Sequence, residues 1–327
     1  MRPYGVVSIC SALMDVVTAI SEEDLEMLAL KKGYSCIVTE EQYKQLLEKI
    51  HTQHFSYEIG GSSLNAIRAL ALLEVKTAFL SGVGQDTYGD KIRARFQELG
   101  IAGKLPTIPH VHSGSCMVLV TPDGERTMAT FLGASVLFTA ADIPKEEIQG
   151  ARIFHCSGYQ WFGPQKQVLL EALAWAKQHG VMISVDVSDP SVAQYLREDM
   201  LHVLSEYADV IFANREEAHL LFGGSPQKVA QELATQGKLA VIKLGSEGAL
   251  LHRGQEQVFI SAEPVKVVDT TAAGDMFAAG VLYGLLQERS LAQMGHMGAI
   301  LAGDVIGHYG ATLSKEAIHR LQTEFTP

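Results

Sequence analysis

The run Val268-Asp269-Thr270-Thr271-Ala272-Ala273-Gly274-Asp275-Met276-Phe277 sets carboxylates, hydroxyls and small residues ahead of a helical pattern, Phe277–Leu286. Small side chains let an anion approach the backbone, and the first N–H groups of a helix have no partners inside it. With the helix dipole they form a hole for negative charge, such as that developing on a phosphoryl group in transfer. Ala272, Ala273 and Gly274 are the candidates for that hole, and Asp275 stands at its mouth. An alcohol is a weak nucleophile at neutral pH, so a carboxylate there can accept its proton as it attacks. The same spacing suits a plainer arrangement, in which Asp269 and Asp275 cap the helix and the alanines pack.

Three further segments carry polar groups in chemically useful places. Gly60-Gly61-Ser62-Ser63-Leu64-Asn65 opens another helix. Its glycines permit a tight turn and close ligand approach, and Asn65 can donate and accept hydrogen bonds to hydroxyls. The chain has only two asparagines, Asn65 and Asn214, and both fall in such segments. Asn214-Arg215-Glu216-Glu217 follows the apolar run Val210-Ile211-Phe212-Ala213. At a strand end Asn214 and Glu217 can hold a hydrated Mg²⁺ with its phosphates. They can equally form a capping box, and the two roles are compatible. Lys243-Leu244-Gly245-Ser246-Glu247-Gly248 ends a strand in a turn that suits either a nucleotide contact or a plain hairpin. Asp15, after the first strand, is a candidate ligand for substrate hydroxyls or an ordinary loop carboxylate. His110 and His112 have no nearby partner to complete a metal site and read as strand-edge residues.

Strands and helices must alternate to position these groups. Gly5–Cys10, Thr77–Ser81, Arg152–Cys156, Val181–Asp186, Val210–Ala213 and Leu239–Leu244 read as strands. Leu64–Leu73, Asp90–Leu99, Gln165–His179 and Pro226–Gln236 read as helices. This alternation predicts a mainly parallel, doubly wound α/β sheet covered on both faces. Ala249–His252 and Gln257–Ile260, joined by Arg253-Gly254-Gln255-Glu256, predict an antiparallel hairpin at its end. Two stretches fit the alternation poorly, about 16–59 and 106–131. The second contains Ser115–Val120 and Arg126–Phe131 around the turn Thr121-Pro122-Asp123-Gly124. Both are expected to build a small β-rich lid on a single domain spanning 1–327. Met117, Leu119, Met128 and Phe131 of the lid strands are expected either to pack on a flat purine or to cover their own small core.

Composition narrows the field. With 47% hydrophobic and 19% charged residues the chain has the makings of a substantial core. A formal net charge of −11 argues against general nucleic-acid binding. Four cysteines with no CxxC pair fit a reducing cytoplasm. No signal-peptide pattern follows Met1-Arg2-Pro3-Tyr4, and no run is apolar enough for a membrane helix. P-loop, GxGxxG and GxSxG signatures are missing, which removes the usual nucleotide-binding and hydrolase alternatives.

In chain order, Asp15, GGSSLN at 60–65, GVGQDTYGD at 82–90, TPDGERT at 121–127, NREE at 214–217, KLGSEG at 243–248 and DTTAAGD at 269–275 resemble the ribokinase (PfkB) family of carbohydrate and nucleoside kinases. The resemblance covers nearly the whole chain. It implies a ribokinase-like fold, ATP and Mg²⁺ as cosubstrates, and phosphorylation of a CH₂OH group on a small-molecule sugar or nucleoside. It makes Asp275 the base and Ala272, Ala273 and Gly274 the anion hole. Asp15, Gly60, Gly61 and Asn65 would hold the acceptor. Asn214 and Glu217 would serve the Mg²⁺–phosphate region, and Lys243, Gly245 and Gly248 the nucleotide. Many members bind K⁺ beside the anion loop, which here implies Asp269 and Thr271. Ala12-Leu13-Met14-Asp15-Val16, the 30–33 insertion and Ser113-Gly114-Ser115-Cys116 look most like the adenosine-kinase-like branch. Cys10 departs from the glycine usual in the first strand motif, and bacterial sugar kinases share the branch features. The expected acceptor is therefore a furanose, as a nucleoside or as a free sugar of the ribose or fructose type. The expected assembly is a monomer or homodimer. A noncatalytic sugar- or nucleotide-binding regulator is the alternative, although both the Asp275 carboxylate and the anion-loop glycine are present.

Overall fold

Continuous apolar runs such as Val6-Val7-Ser8-Ile9 and Val210-Ile211-Phe212-Ala213 are buried along their whole length, as strands covered on both faces must be. The computed structural model describes residues 2–50 and 54–325. Residue 1, residues 326–327 and residues 51–53 of the 16–59 insertion lie outside the described residues.

The apolar runs pair into a nine-stranded sheet. Its spatial order is Glu256–Ile260, Ala249–Arg253, Leu239–Lys243, Val210–Asn214, Met182–Asp186, Ala151–Ser157, Tyr4–Ile9, Thr77–Leu80 and Ala102–Lys104. All neighbours are parallel except the first two strands, which form the expected hairpin. Tyr4–Ile9 pairs with Thr77–Leu80 on one side and with Ala151–Ser157 on the other. The chain builds the sheet toward the first side, then crosses over and builds toward the second. Such a reversal opens a crevice at the strand C-termini, where open α/β sheets bind ligands. Cys10 and Ser11, Ser157, Asp186 and Lys243 all lie at that edge. Helices Ser62–Leu72 and Ala273–Leu286 pack against each other beneath it.

A second, five-stranded sheet stands apart from the first. Its order is Ser35–Ile37, Arg126–Phe131, Ser115–Val120, Leu13–Ala19 and Ser56–Gly60. The 16–59 stretch also forms two helices, Glu22–Met27 and Glu40–Lys49. Ser21 caps the first, and a Thr39–Gln42 capping box starts the second. These short polar caps hide among loop-like residues, so the sequence reading passed them over.

The two faces of this sheet divide by the two-residue period of a strand. Met117, Leu119 and Ala129 join Leu25, Leu28, Tyr43 and Leu46 in a core under the two helices. The Phe131 ring lies 6.3 Å from that of Tyr43 on the same side. Cys116, Val118, Met128 and Thr130 face the strand ends of the large sheet instead. Of the four apolar residues singled out in the lid strands, three therefore cover the sheet's own core and Met128 alone faces the crevice. His110, at φ 62°, and His112 lie in a turn after Thr107–Ile108 and not on a strand edge. Among the described residues no helix is long and apolar enough to cross a membrane.

Candidate active site

Between the second sheet and the strand ends lies a cavity of about 540 Å³. Asp275, in the first turn of Ala273–Leu286, sits half-buried on its wall. Ser62 Oγ donates to its Oδ1 and Asn65 Nδ2 to its Oδ2, both at 2.9 Å. The two donors come from the first turn of Ser62–Leu72, so two helix N-termini converge on one carboxylate. Burial raises the Asp275 pKa to about 7. The bond from Asn65 opposes that rise, and the nearby Asp186 carboxylate adds to it.

Asp15 reaches the same cavity from Leu13–Ala19. Burial also lifts its carboxyl to about 7, against the pull of the buried Arg68 guanidinium. Arg68 is itself held by the Ile59 carbonyl and by Glu58, at 3.0 Å from Nη2 to Oε2. A glycine at 60 makes room for Asp15, because a Cβ there would run into its carboxylate. Gly61, at φ 118°, precedes the helix, and a Cβ on it would strike the Ser11 carbonyl.

Lys243, at the end of Leu239–Lys243, reaches across to Asp186 at 2.8 Å. Burial works against its ammonium, but Asp186 and Glu217 more than offset this and hold its pKa above the usual lysine value. The ammonium lies beside the anion loop, and a Cβ on Gly274 would stand 3.0 Å from Nζ. Ala272 precedes the helix in the left-handed region at φ 58°. Asp269 fixes the loop, its Oδ1 accepting from Thr271 N–H at 2.8 Å and Oδ2 from Gly310 N–H at 3.0 Å. Arg126, from the second sheet, lies 3.3 Å from the same carboxylate.

Asp15, Gly61, Asn65, Lys243, Thr271, Ala272, Ala273, Gly274 and Asp275 thus line one cavity, and Gly60 shapes it from behind. Asn214, Glu217, Gly245, Gly248 and Asp269 do not line it. Asn214 and Glu217 form the capping box: Glu217 accepts from Asn214 N–H at 2.8 Å and from Nδ2 at 2.7 Å. Burial raises the Glu217 pKa, with Lys243 pulling it back. Gly245 is open to solvent on the Cβ side, whereas a Cβ on Gly248 would collide with the Ile260 carbonyl, so Gly248 serves the hairpin. Sequence reasoning assigned no role to Asp186, Arg126, Ser62 or Arg68. Asp186 hides at the end of an apolar run, where a carboxylate otherwise has no place.

Residues 26–318 match the sequence profile of the pfkB family carbohydrate kinases. The chain belongs to this family. As a PfkB protein it is an ATP-dependent kinase of small-molecule sugars or nucleosides. A ribokinase of Haemophilus influenzae is 29% identical over 275 residues, covering 82% of this chain and 87% of its own. The crystal structure of a probable sugar kinase from Rhizobium etli superposes with a TM-score of 0.92 at 28% identity, covering 98% of both chains. That of an adenosine kinase from Sinorhizobium meliloti gives 0.91 at 28% identity over 98% of this chain and 99% of its own. Both structures carry the PfkB architecture of two sheets across nearly the full length of this chain.

The raised Asp275 pKa links stability to pH. The folded protein keeps a proton that the unfolded chain releases near pH 4, so this stabilisation fades as pH rises from about 4 to about 7. Asp275→Asn removes the group. Its melting temperature relative to the parent should therefore climb from pH 5 to pH 8. Thermal melts across that range check this, and a pH-independent difference would mean that Asp275 is already ionised at pH 5.

Proposed function

We propose that this kinase transfers the terminal phosphoryl group of ATP to the CH₂OH of a furanose, with Asp275 as general base. The observation that carries the proposal is Asp275 itself: a carboxylate on the cavity wall, held by Ser62 and Asn65, with a pKa near neutrality. A base works best when its pKa lies near the operating pH. The hydroxyl oxygen bonds to the terminal phosphorus while its proton passes to an Asp275 oxygen. The bond from phosphorus to the bridging oxygen breaks, and ADP leaves with that electron pair. Backbone N–H groups at Ala272–Gly274, at the positive end of Ala273–Leu286, take up the charge on the transferred group. Asp15 and Asn65 bind ring hydroxyls and turn the CH₂OH toward Asp275. Lys243 and the Gly245 turn face the nucleotide. The acceptor we favour is a nucleoside of the adenosine type; the ribokinase relative favours free ribose at the same site. ATP and four free cysteines also fit a cytoplasmic setting.

Mg²⁺, normally carried by ATP, neutralises phosphate charge. Both Glu217 oxygens already accept from Asn214, so this pair fits an ion held through water and not by direct coordination. The Asp269 and Thr271 side chains do not fit K⁺. Their oxygens are committed to one another and to Gly310, with Arg126 supplying positive charge.

The second sheet acts as the lid, because a phosphoryl donor must be shielded from water during transfer. Its Cys116, Val118, Met128 and Thr130 roof the cavity.

Three measurements test this reading. Asp275→Asn should bind ATP and lose on the order of 10²–10⁴ in kcat, and turnover within a few-fold of the parent would remove Asp275 as base. Glu217→Gln should raise the Mg²⁺ concentration for half-maximal rate, whereas an unchanged titration would leave the pair as a helix cap only. Amide exchange in Ser115–Phe131 should slow when acceptor and an ATP analogue are bound together, and equal exchange would end the lid assignment.

A further inference from the structure

Two glutamines lie against the cavity with nothing to bind. Gln160 is 6% exposed and Gln165 4%, and both line the cavity wall. Gln160 Oε1 is buried without a hydrogen-bond partner. Neither carboxamide bonds to any other group among the described residues. A buried carboxamide without partners costs stability, and most buried polar side chains in folded proteins are paired.

Their backbone setting points both side chains away from local use. Gln160 sits in the helical turn Gly158–Phe162, which follows the strand Ala151–Ser157. Gln165 holds the N-cap position of Lys166–Gln178 yet makes no capping bond. Ser, Thr, Asp or Asn at that position would normally cap. Between them Gly163 leaves space, for a Cβ there would stand 2.8 Å from Gln165 Oε1 and 3.9 Å from Val136. The rest of this wall is apolar: Leu132, Val136, Phe138 and Phe162.

A sugar hydroxyl set against these apolar groups would lose its water without finding enough partners. A flat heterocycle would gain from them, provided its polar edge met donors and acceptors. A carboxamide offers one acceptor oxygen and two N–H donors in a plane, and glutamine pairs with the edge of adenine in this way. We propose that Gln160 and Gln165 read the hydrogen-bonding edge of a nucleoside base whose ribose lies between Asp15, Asn65 and Asp275. The two glutamines thereby separate nucleosides from free sugars. This rests on the kinase reading of the cavity for its orientation, and its test does not depend on turnover.

Gln160→Met keeps the side-chain length and removes the amide. Calorimetric titration of adenosine, inosine, cytidine and ribose, without ATP, compares the variant with the parent. The expected result is about a 10-fold fall in the ratio of nucleoside to ribose affinity, the worth of one net hydrogen bond. The ligand-free variant should also melt above the parent, because an unpaired buried amide has gone. A merely structural glutamine would lower that melting point and leave the ratio alone. Gln165→Met supplies the same comparison if Gln160→Met does not fold. An affinity ratio within two-fold of the parent overturns the proposal, as does a parent that binds none of the three nucleosides. A parent that binds a nucleoside but transfers no phosphoryl group to it would overturn the kinase reading and leave the base-reading pair intact.

Discussion

Asp275 is where two helix N-termini meet, and the architecture around it serves that meeting. Ser62 and Asn65 lie 213 and 210 residues away in sequence, yet both donate to its carboxylate. The positive ends of two helices and two hydrogen bonds all favour the ionised form. Burial and the Asp186 carboxylate oppose them, and they win by enough to bring the pKa to about 7. A stronger donor set would leave an anion too stable to accept a proton. A weaker one would leave a neutral acid.

The large sheet fixes where the helices begin. Ser62–Leu72 leaves Gly61, whose backbone lies against the Ser11 carbonyl at the end of the first strand. Ala273–Leu286 is pinned along its length by Leu291–Ile306. At Gly280 the helices approach so closely that a Cβ would stand 2.5 Å from the Met297 carbonyl. The Lys243–Asp186 pair joins two strand ends and is buried, so neither partner is easily replaced. Losing one would leave the other charge unmatched, which typically costs about 3–5 kcal/mol.

Much of this frame is legible in the sequence because it rests on short-range rules. Apolar runs between helical patterns announce parallel strands, and glycine pairs announce close approach. Small residues before Phe277 announce a helix N-terminus open to an anion. Facing is harder to read. Met117 and Leu119 alternate with Cys116 and Val118, and both sets are apolar, so nothing in composition says which set meets the cavity. The helices Glu22–Met27 and Glu40–Lys49 decide it by covering one side. Asp186 and Arg126 escaped for a related reason. Their value comes from Lys243 and Asp269, partners that only the folded chain brings near.

The remaining clue to function is where the molecule tolerates cost. Six described non-glycine residues have positive φ, and four of these close helices or turns in the ordinary way. The other two, Ser188 and Ala272, line the cavity. An alanine in the left-handed region gives up roughly 1–2 kcal/mol relative to its preferred conformations. Asp269, anchored by Thr271, Gly310 and Arg126, holds Ala272 there. Two carboxyls with raised pKa and two unpaired carboxamides share the same walls. Such costs persist only where the surrounding structure over-determines them, and they gather where a ligand will repay them. Their concentration in one cavity marks it as the place where binding changes the balance. It also explains why a chain with so well filled a core leaves its least satisfied groups side by side.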